Sequence, residues 1–191
     1  MRIVICGVGA LGSTAVLFTR GLGAELRVVD FDRVESKNIA AQWFVKQSVG
    51  KNKAEAIRLQ LANFYGGKAE AMTVKLVATN AAQLLDGCDL AVDCFDNADS
   101  RLVLAEAARA KQLPLVHAAL AADGTFGMIR WDERFTPDRE DAEGQATCEG
   151  GEHLPIIGVI GATLARAIQD FSKDGARDDY FISLSGVMRT S

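Results

Sequence analysis

The sequence has no C-x-x-C pair: its four cysteines, Cys6, Cys88, Cys94 and Cys148, are scattered. That argues against a structural zinc site and against a disulfide framework. Cys6 and Cys94 fall in apolar runs expected to be buried strands, where a thiol behaves as a small hydrophobe. A reducing, cytoplasmic setting is therefore expected. Excess charge is also scarce, since 21 Lys and Arg against 25 Asp and Glu leave a net −4. Such a chain has no electrostatic footprint for nucleic acid. No apolar run approaches the ~20 residues needed to cross a bilayer, so no membrane partner is expected. The start is a strand-like run rather than a charged region followed by a cleavable apolar segment, so no signal peptide is expected. Repeats and low-complexity tracts are missing. With 191 residues, 49% hydrophobic and 24% charged, the chain suits one domain over 1–191 with a substantial core.

What is present begins at once. Ile3 to Cys6 reads as a buried strand and leads directly into Gly7, Gly9 and Gly12, the G-x-G-x-x-G spacing. A helix-period stretch follows, with Leu11, Ala15, Val16 and Phe18, and a second strand, Leu26 to Val29, ends on Asp30. In such a unit Gly7 makes the tight turn, Gly9 lets phosphates approach the backbone, and Gly12 lets the helix pack closely on the strand. Phosphates then sit at a helix N-terminus, and the acid after the second strand accepts ribose hydroxyls. Alone this implies a nucleotide-binding unit, most commonly one for NAD.

Further on, a loop with a short helical turn near Trp43 and Phe44 is expected after Asp30. Lys51 to Tyr65 reads as a helix with Ala54, Ile57, Leu61 and Phe64 on its inner face, ended by Gly66-Gly67. Glu70 to Val77 reads as a third strand and Asn80 to Leu85 as a short helix capped by Asn80. Asp89 to Cys94 reads as a buried parallel-type strand. A helix from Ser100 to Lys111, with Leu102, Val103 and Ala107 inward, and a strand from Leu113 to Ala118 follow. Gly124 to Trp131 reads as an edge strand, 132–154 as an irregular crossover loop, Pro155 to Phe171 as an apolar helix and Tyr180 to Val187 as a last strand. The fold class is α/β, a Rossmann-like doubly wound sheet, mostly parallel, with antiparallel strands near the C-terminal end.

Four polar groups fall where the strands' carboxyl ends should converge: Asp30 with Asp32, Asn38 with Gln42, Lys53, and Asp96-Asn97 with Arg101. A dehydrogenase needs the first acid and none of the rest, and no catalytic His/Lys/Tyr set accompanies the loop. An ATP site needs a cation against the phosphates and a carboxylate to hold Mg²⁺ beside them.

The runs DFDRVESKNIAAQ, VGKNKAEA and DCFDNADSR, with GVGALGS before them and EGGEHLPIIGVIGATLARA near the end, resemble the ThiF/MoeB/HesA adenylyltransferases, relatives of the ubiquitin-activating enzymes. The likeness covers nearly the whole chain and is closest to short, zinc-free members. It implies an ATP- and Mg²⁺-dependent adenylyltransferase acting on the C-terminal glycine carboxylate of a small ubiquitin-like sulfur carrier ending in Gly-Gly, as a homodimer. Carried over by position, the nucleotide-contacting set is Gly7, Gly9, Gly12, Asp30, Asp32, Asn38, Gln42, Lys53, Asp96 and Asn97. Lys53 neutralises phosphate, Asp96 binds Mg²⁺, and Arg101 supports the Asp96 loop.

The pattern departs from the family at two positions. The arginine before Gln42 is Ala41, and the serine before Asn38 is Lys37. Arg33, Lys37 and Lys51 stand nearby, but lysine does not reproduce a bidentate guanidinium. A partner-dependent or non-catalytic ATP-binding module is therefore a second reading. Cys148 lies where some relatives carry a thiol that links covalently to the carrier. Its acidic neighbours Glu143 and Glu149 would not lower a thiol pKa, so an ordinary loop cysteine stands beside that reading.

Overall fold

Ile3, Val4, Ile5 and Cys6 are all buried, as a central strand covered by helices on both faces requires. Ile3 and Ile5 face one apolar cluster, while Val4 and Cys6 face a second. The structure, a computed structural model, describes residues 1–136 and 151–190. Within them, β1 (Arg2–Cys6), β2 (Glu25–Val29), β3 (Ala69–Met72), β4 (Leu90–Asp93) and β5 (Leu115–Leu120) pair in parallel. β6 (Phe126–Trp131), β7 (Tyr180–Ser183) and β8 (Gly186–Arg189) continue the sheet antiparallel. The order is β3-β2-β1-β4-β5-β6-β7-β8, the Rossmann-like, mostly parallel arrangement expected.

Helices α1 (Ala10–Thr19), α2 (Lys53–Tyr65) and α5 (Leu154–Asp174) cover one face, and α3 (Ala78–Leu84) and α4 (Ala98–Ala110) cover the other. By length and composition α5 meets the criterion for a membrane-crossing helix, which the apolar-run reading missed. Its role here is that of a core helix: Ile157, Ile160, Leu164 and Ile168 are wholly buried. Gly161 lies so close to α1 that a Cβ there would stand 2.4 Å from Thr14 Cγ2.

Several expectations need correction. The helical turns after Asp30 fall at Ser36–Ala40 and Lys46–Ser48, flanking Trp43 rather than including it. Phe18 and Phe64 are exposed; Phe64 stands in the last turn of α2, edge-on to Tyr65. Asn80 is not the cap of α3 but its third residue, accepting the Val77 N–H at 2.9 Å. On α4, Leu104, Ala105 and Ala108 are the buried positions, Val103 and Ala107 pack beside them as expected, and Leu102 is exposed. Arg101 occupies the first position of that stripe, because its guanidinium turns inward to Asp93. β6 is an interior strand between β5 and β7, and the last strand is a hairpin that turns at Leu184-Ser185.

Asp179 ties the antiparallel half together. Its buried carboxylate accepts the Trp131 N–H at 3.0 Å and two bonds from Arg134, the shorter 2.6 Å. Burial pushes this carboxyl up, but the Arg134 bonds and the Trp131 N–H outweigh it, leaving it below the ordinary carboxylate range. A lowered carboxyl contributes stability above its unfolded pKa and loses it as pH falls through the folded value. Asp179→Ala is expected to cost about 2–3 kcal/mol, or roughly 5–10 °C in Tm. Melts from neutral to acid pH check it: Tm of the parent falls below about pH 4, and that fall is shallower in the variant.

Candidate functional site

The strand order reverses between β1 and β4, and in open α/β sheets ligands bind at that point, beyond the carboxyl ends of the strands. A cleft of about 640 Å³, counting the part open to solvent, lies there. Its walls include Gly7 and Gly9 after β1, Asp30 to Asp32 after β2, Val74 to Leu76 after β3, and Cys94 to Asn97 after β4. Val29, Lys53 and Ser100 complete them.

The glycines divide the work as their spacing implies. Gly7 has φ +80°, and a Cβ on it would stand 2.9 Å from the Cys94 carbonyl oxygen. Gly12 is not a wall residue; its Cα packs on the loop, and a Cβ there would fall 1.9 Å from the Gly7 carbonyl oxygen. Gly9 caps α1 and lines the cleft, with nothing within 4 Å of its Cβ position. The backbone is thus bare where a ligand would approach it.

Asp30 is buried, and its carboxylate holds the loop in place. Oδ2 accepts the Val8 N–H and Oδ1 the Asp32 N–H, both at 2.8 Å. Burial raises its pKa, and the two N–H bonds and Lys53 only partly offset that. Asn52 caps α2 by accepting the Glu55 N–H, and its amide donates to the Asp30 carbonyl. This puts Lys53 at the first position of α2, its stem buried and its Nζ 3.5 Å from Asp32 Oδ2. Asn97 caps α4 through the Ser100 N–H at 2.9 Å. The N-termini of α1, α2 and α4 therefore meet at one cleft, and helix N-termini favour anions.

Asp96 is exposed on the loop between β4 and α4, its Oδ1 3.3 Å from Asn97 Nδ2. Arg101 braces this loop, as expected: Nη1 donates to Asp93 Oδ2 at 2.9 Å, and Nη2 to the Phe95 and Ala118 carbonyls. Burial pushes the Cys94 thiol up strongly, so the cysteine in the wall is a packing residue, not a nucleophile. Among the described residues, no group of three His, Cys, Asp or Glu is placed to hold a metal by itself.

Residues 1–171 match the ThiF family. The chain belongs to that family. The adenylyltransferase and sulfurtransferase UBA4 of Yarrowia lipolytica is 28% identical over 177 residues, covering 86% of this chain and 44% of the relative. The adenylyltransferase and sulfurtransferase MOCS3 of Aedes aegypti is 30% identical over 174 residues, 85% and 40% of the two chains. The SAMP-activating enzyme E1 of Haloferax volcanii is 33% identical over 126 residues, 62% and 45%. The chain spans less than half the length of these relatives. Among solved structures, Escherichia coli MccB with ATP shares the fold, with a TM-score of 0.78 at 17% identity over all of this chain and 63% of that one.

The ThiF-family residues are not all gathered at the cleft. Gly7, Gly9, Asp30, Asp32, Lys53, Asp96 and Asn97 line it, whereas Asn38 and Gln42 do not. Asn38 is buried, and its Oδ1 accepts the Glu35 N–H at 2.8 Å, closing the turn over Ser36–Ala40. Gln42 holds its Oε1 buried without a hydrogen-bond partner. Ala41 sits in the main core at 1% exposure. Cys148 lies outside the described residues. Phe31, Val74, Lys75, Leu76, Phe95 and Ser100 are wall residues that pattern reading missed. The sequence pattern carries the third strand on through 73–77, but the strand ends at Met72, and Val74 to Leu76 line the cleft instead. A signal was available in the polar break at Thr73 and Lys75.

Proposed function

We propose that the chain is an ATP-dependent adenylyltransferase that activates the C-terminal glycine carboxylate of a ubiquitin-like sulfur carrier. The observation that carries this reading is the meeting of a bare Gly9 backbone, three helix N-termini, Lys53 and Asp96 at one cleft. Membership of the ThiF family and relatives named as adenylyltransferases and as a SAMP-activating enzyme support a carrier substrate, and the Gly-Gly tail is part of the proposal. A homodimer in the cytoplasm belongs to the same proposal.

The reaction is attack by a carboxylate oxygen on the α-phosphorus of ATP. The new O–P bond forms as the bond to the β-phosphate oxygen breaks, and pyrophosphate leaves with that electron pair. Positioning and charge neutralisation carry most of such a step. The Gly9 and Ala10 N–H groups at the start of α1 bind phosphate oxygens, the Lys53 ammonium offsets their charge, and Asp30, holding the Val8 N–H, keeps the loop in register. Mg²⁺ fits the donor set, because it needs only one or two carboxylates when phosphates and water complete its shell; Asp96 would hold it, and it would neutralise phosphate charge there.

Ala41 supports the second reading, an ATP-binding module that is active only with a partner protein. The position that carries a family arginine is a buried alanine here. Pyrophosphate release with ATP, Mg²⁺ and a Gly-Gly-ended carrier tests the two together. Release by the isolated chain is the expected result. ATP binding without release, with turnover regained only on adding a second subunit, would favour the module.

A further inference from the structure

His117, on β5, is buried, with its side chain on the face of the sheet opposite to those of Val116 and Ala118. It pairs in register with Asp93, the last residue of β4, and the two side chains meet. Nδ1 lies 2.7 Å from Asp93 Oδ2, the oxygen that also accepts from Arg101. On its far side, Nε2 lies 3.1 Å from Asp132 Oδ1. Arg109 grips that same Asp132 carboxylate with bonds of 2.6 and 2.9 Å. Phe135 closes the stack, its ring 3.9 Å from the imidazole at an interplanar angle of 13°. Both ring nitrogens thus face carboxylate oxygens.

The fixed end of this chain of bonds is a carboxylate with no exposure to water. Asp93 Oδ1 accepts the Phe95 N–H at 2.9 Å, and the next residue is Asp96. A buried carboxylate orients by its donors, since an unmatched lone pair has no water to turn to. With His117 removed, Asp93 keeps only Arg101 and the Phe95 N–H, and Arg101 also serves two carbonyls. The network thus holds the base of the loop that presents Asp96 to the cleft.

We propose that His117, seated by Asp132, is a positioning residue for Asp96. It fixes the Asp93 carboxylate and, through the Phe95 N–H, the loop on which Asp96 stands. This inference rests on the ATP and Mg²⁺ reading of the cleft.

The test compares three variants of the full chain by titration calorimetry and amide exchange. His117→Phe keeps the ring and its stack on Phe135 but removes both nitrogens. It is expected to weaken Mg²⁺-dependent ATP binding about tenfold, the scale of losing an outer partner of a metal ligand, with ATP binding in EDTA unchanged. Exchange at the Phe95 amide is expected to rise in the nucleotide-free protein. His117→Asn, which retains a donor toward Asp93, is expected to recover most of both losses. If His117→Phe does not fold, Asp132→Asn decides, with an expected loss of about threefold in the same direction. Parent-like Mg²⁺-dependent binding and Phe95 exchange in the variants would overturn the inference and leave the ATP reading intact. Absence of ATP binding by the parent chain would overturn both, and it appears before any substitution is made.

Discussion

Lys53→Met is expected to lower ATP-dependent pyrophosphate release about 10²–10³-fold, the scale of removing one preorganised charge-stabilising group. Three carboxylates, Asp30, Asp32 and Asp96, and two ammonium groups, Lys53 and Lys75, line the cleft. A triphosphate entering that balance depends on each cation. Lys75 lies toward the outer wall, its Nζ 5.6 Å from the centre of the Phe31 ring. Lys53 stands at the start of α2, beside Asp32. Methionine keeps the length of the buried stem, so packing is retained and only charge is lost. The partner Asp32 is half-exposed and is left to water at little cost. Tm is therefore expected to stay within about 2–4 °C, roughly 1 kcal/mol for a chain of this size. Steady-state kinetics with and without excess Mg²⁺, beside a thermal melt, separates the two effects. Parent-like turnover in the variant would remove Lys53 from the site.

Gly12→Ala is expected to be the most damaging single-methyl substitution among the described residues. The added Cβ would stand 1.9 Å from the Gly7 carbonyl oxygen and 2.9 Å from its carbon. The obstacle is backbone, so no side chain can rotate away. α1 and the loop must separate, and with them the Val8 N–H that Asp30 accepts. α1 also packs against α5 through Thr14 and Gly161, so the shift spreads into the main core. Overpacking of this kind costs about 3 kcal/mol or more, which is roughly 6–12 °C in Tm at this chain length. ATP binding is expected to be lost even at temperatures where the variant is folded. Calorimetric melts and titration with ATP read the two losses separately. The contrast is Gly9, where a Cβ meets nothing within 4 Å: Gly9→Ala is expected to leave Tm nearly unchanged and to weaken nucleotide binding alone.

The parallel half of the sheet was legible because β1, β2 and β4 are buried on both faces, so unbroken apolar runs such as Ile3 to Cys6 could be nothing else. Gly7, Asp30, Lys53 and Asp96 were legible for a related reason: turn geometry, the end of a strand and the start of a helix each fix a residue type at a spacing. Asn38 matched the pattern as well, yet its side chain closes a local turn, and spacing alone does not distinguish a cap from a contact. On α4, a stripe read from apolar residues alone includes Leu102, which is exposed, and leaves out Arg101, which turns in to meet Asp93. His117, at a strand end, reads as a packed or hydrogen-bonded histidine and is one, but its partners Asp93 and Asp132 lie 24 and 15 residues away. Long-range polar pairing leaves no period in a sequence.

A structure of the chain with a non-hydrolysable ATP analogue and Mg²⁺ tests the central claim most directly. The account predicts the triphosphate across the Gly7–Gly9 backbone, Lys53 Nζ against its oxygens, and Mg²⁺ between Asp96 and the phosphates. An analogue bound elsewhere, or a cleft in which Lys53 and Asp96 make no contact with it, would contradict the account.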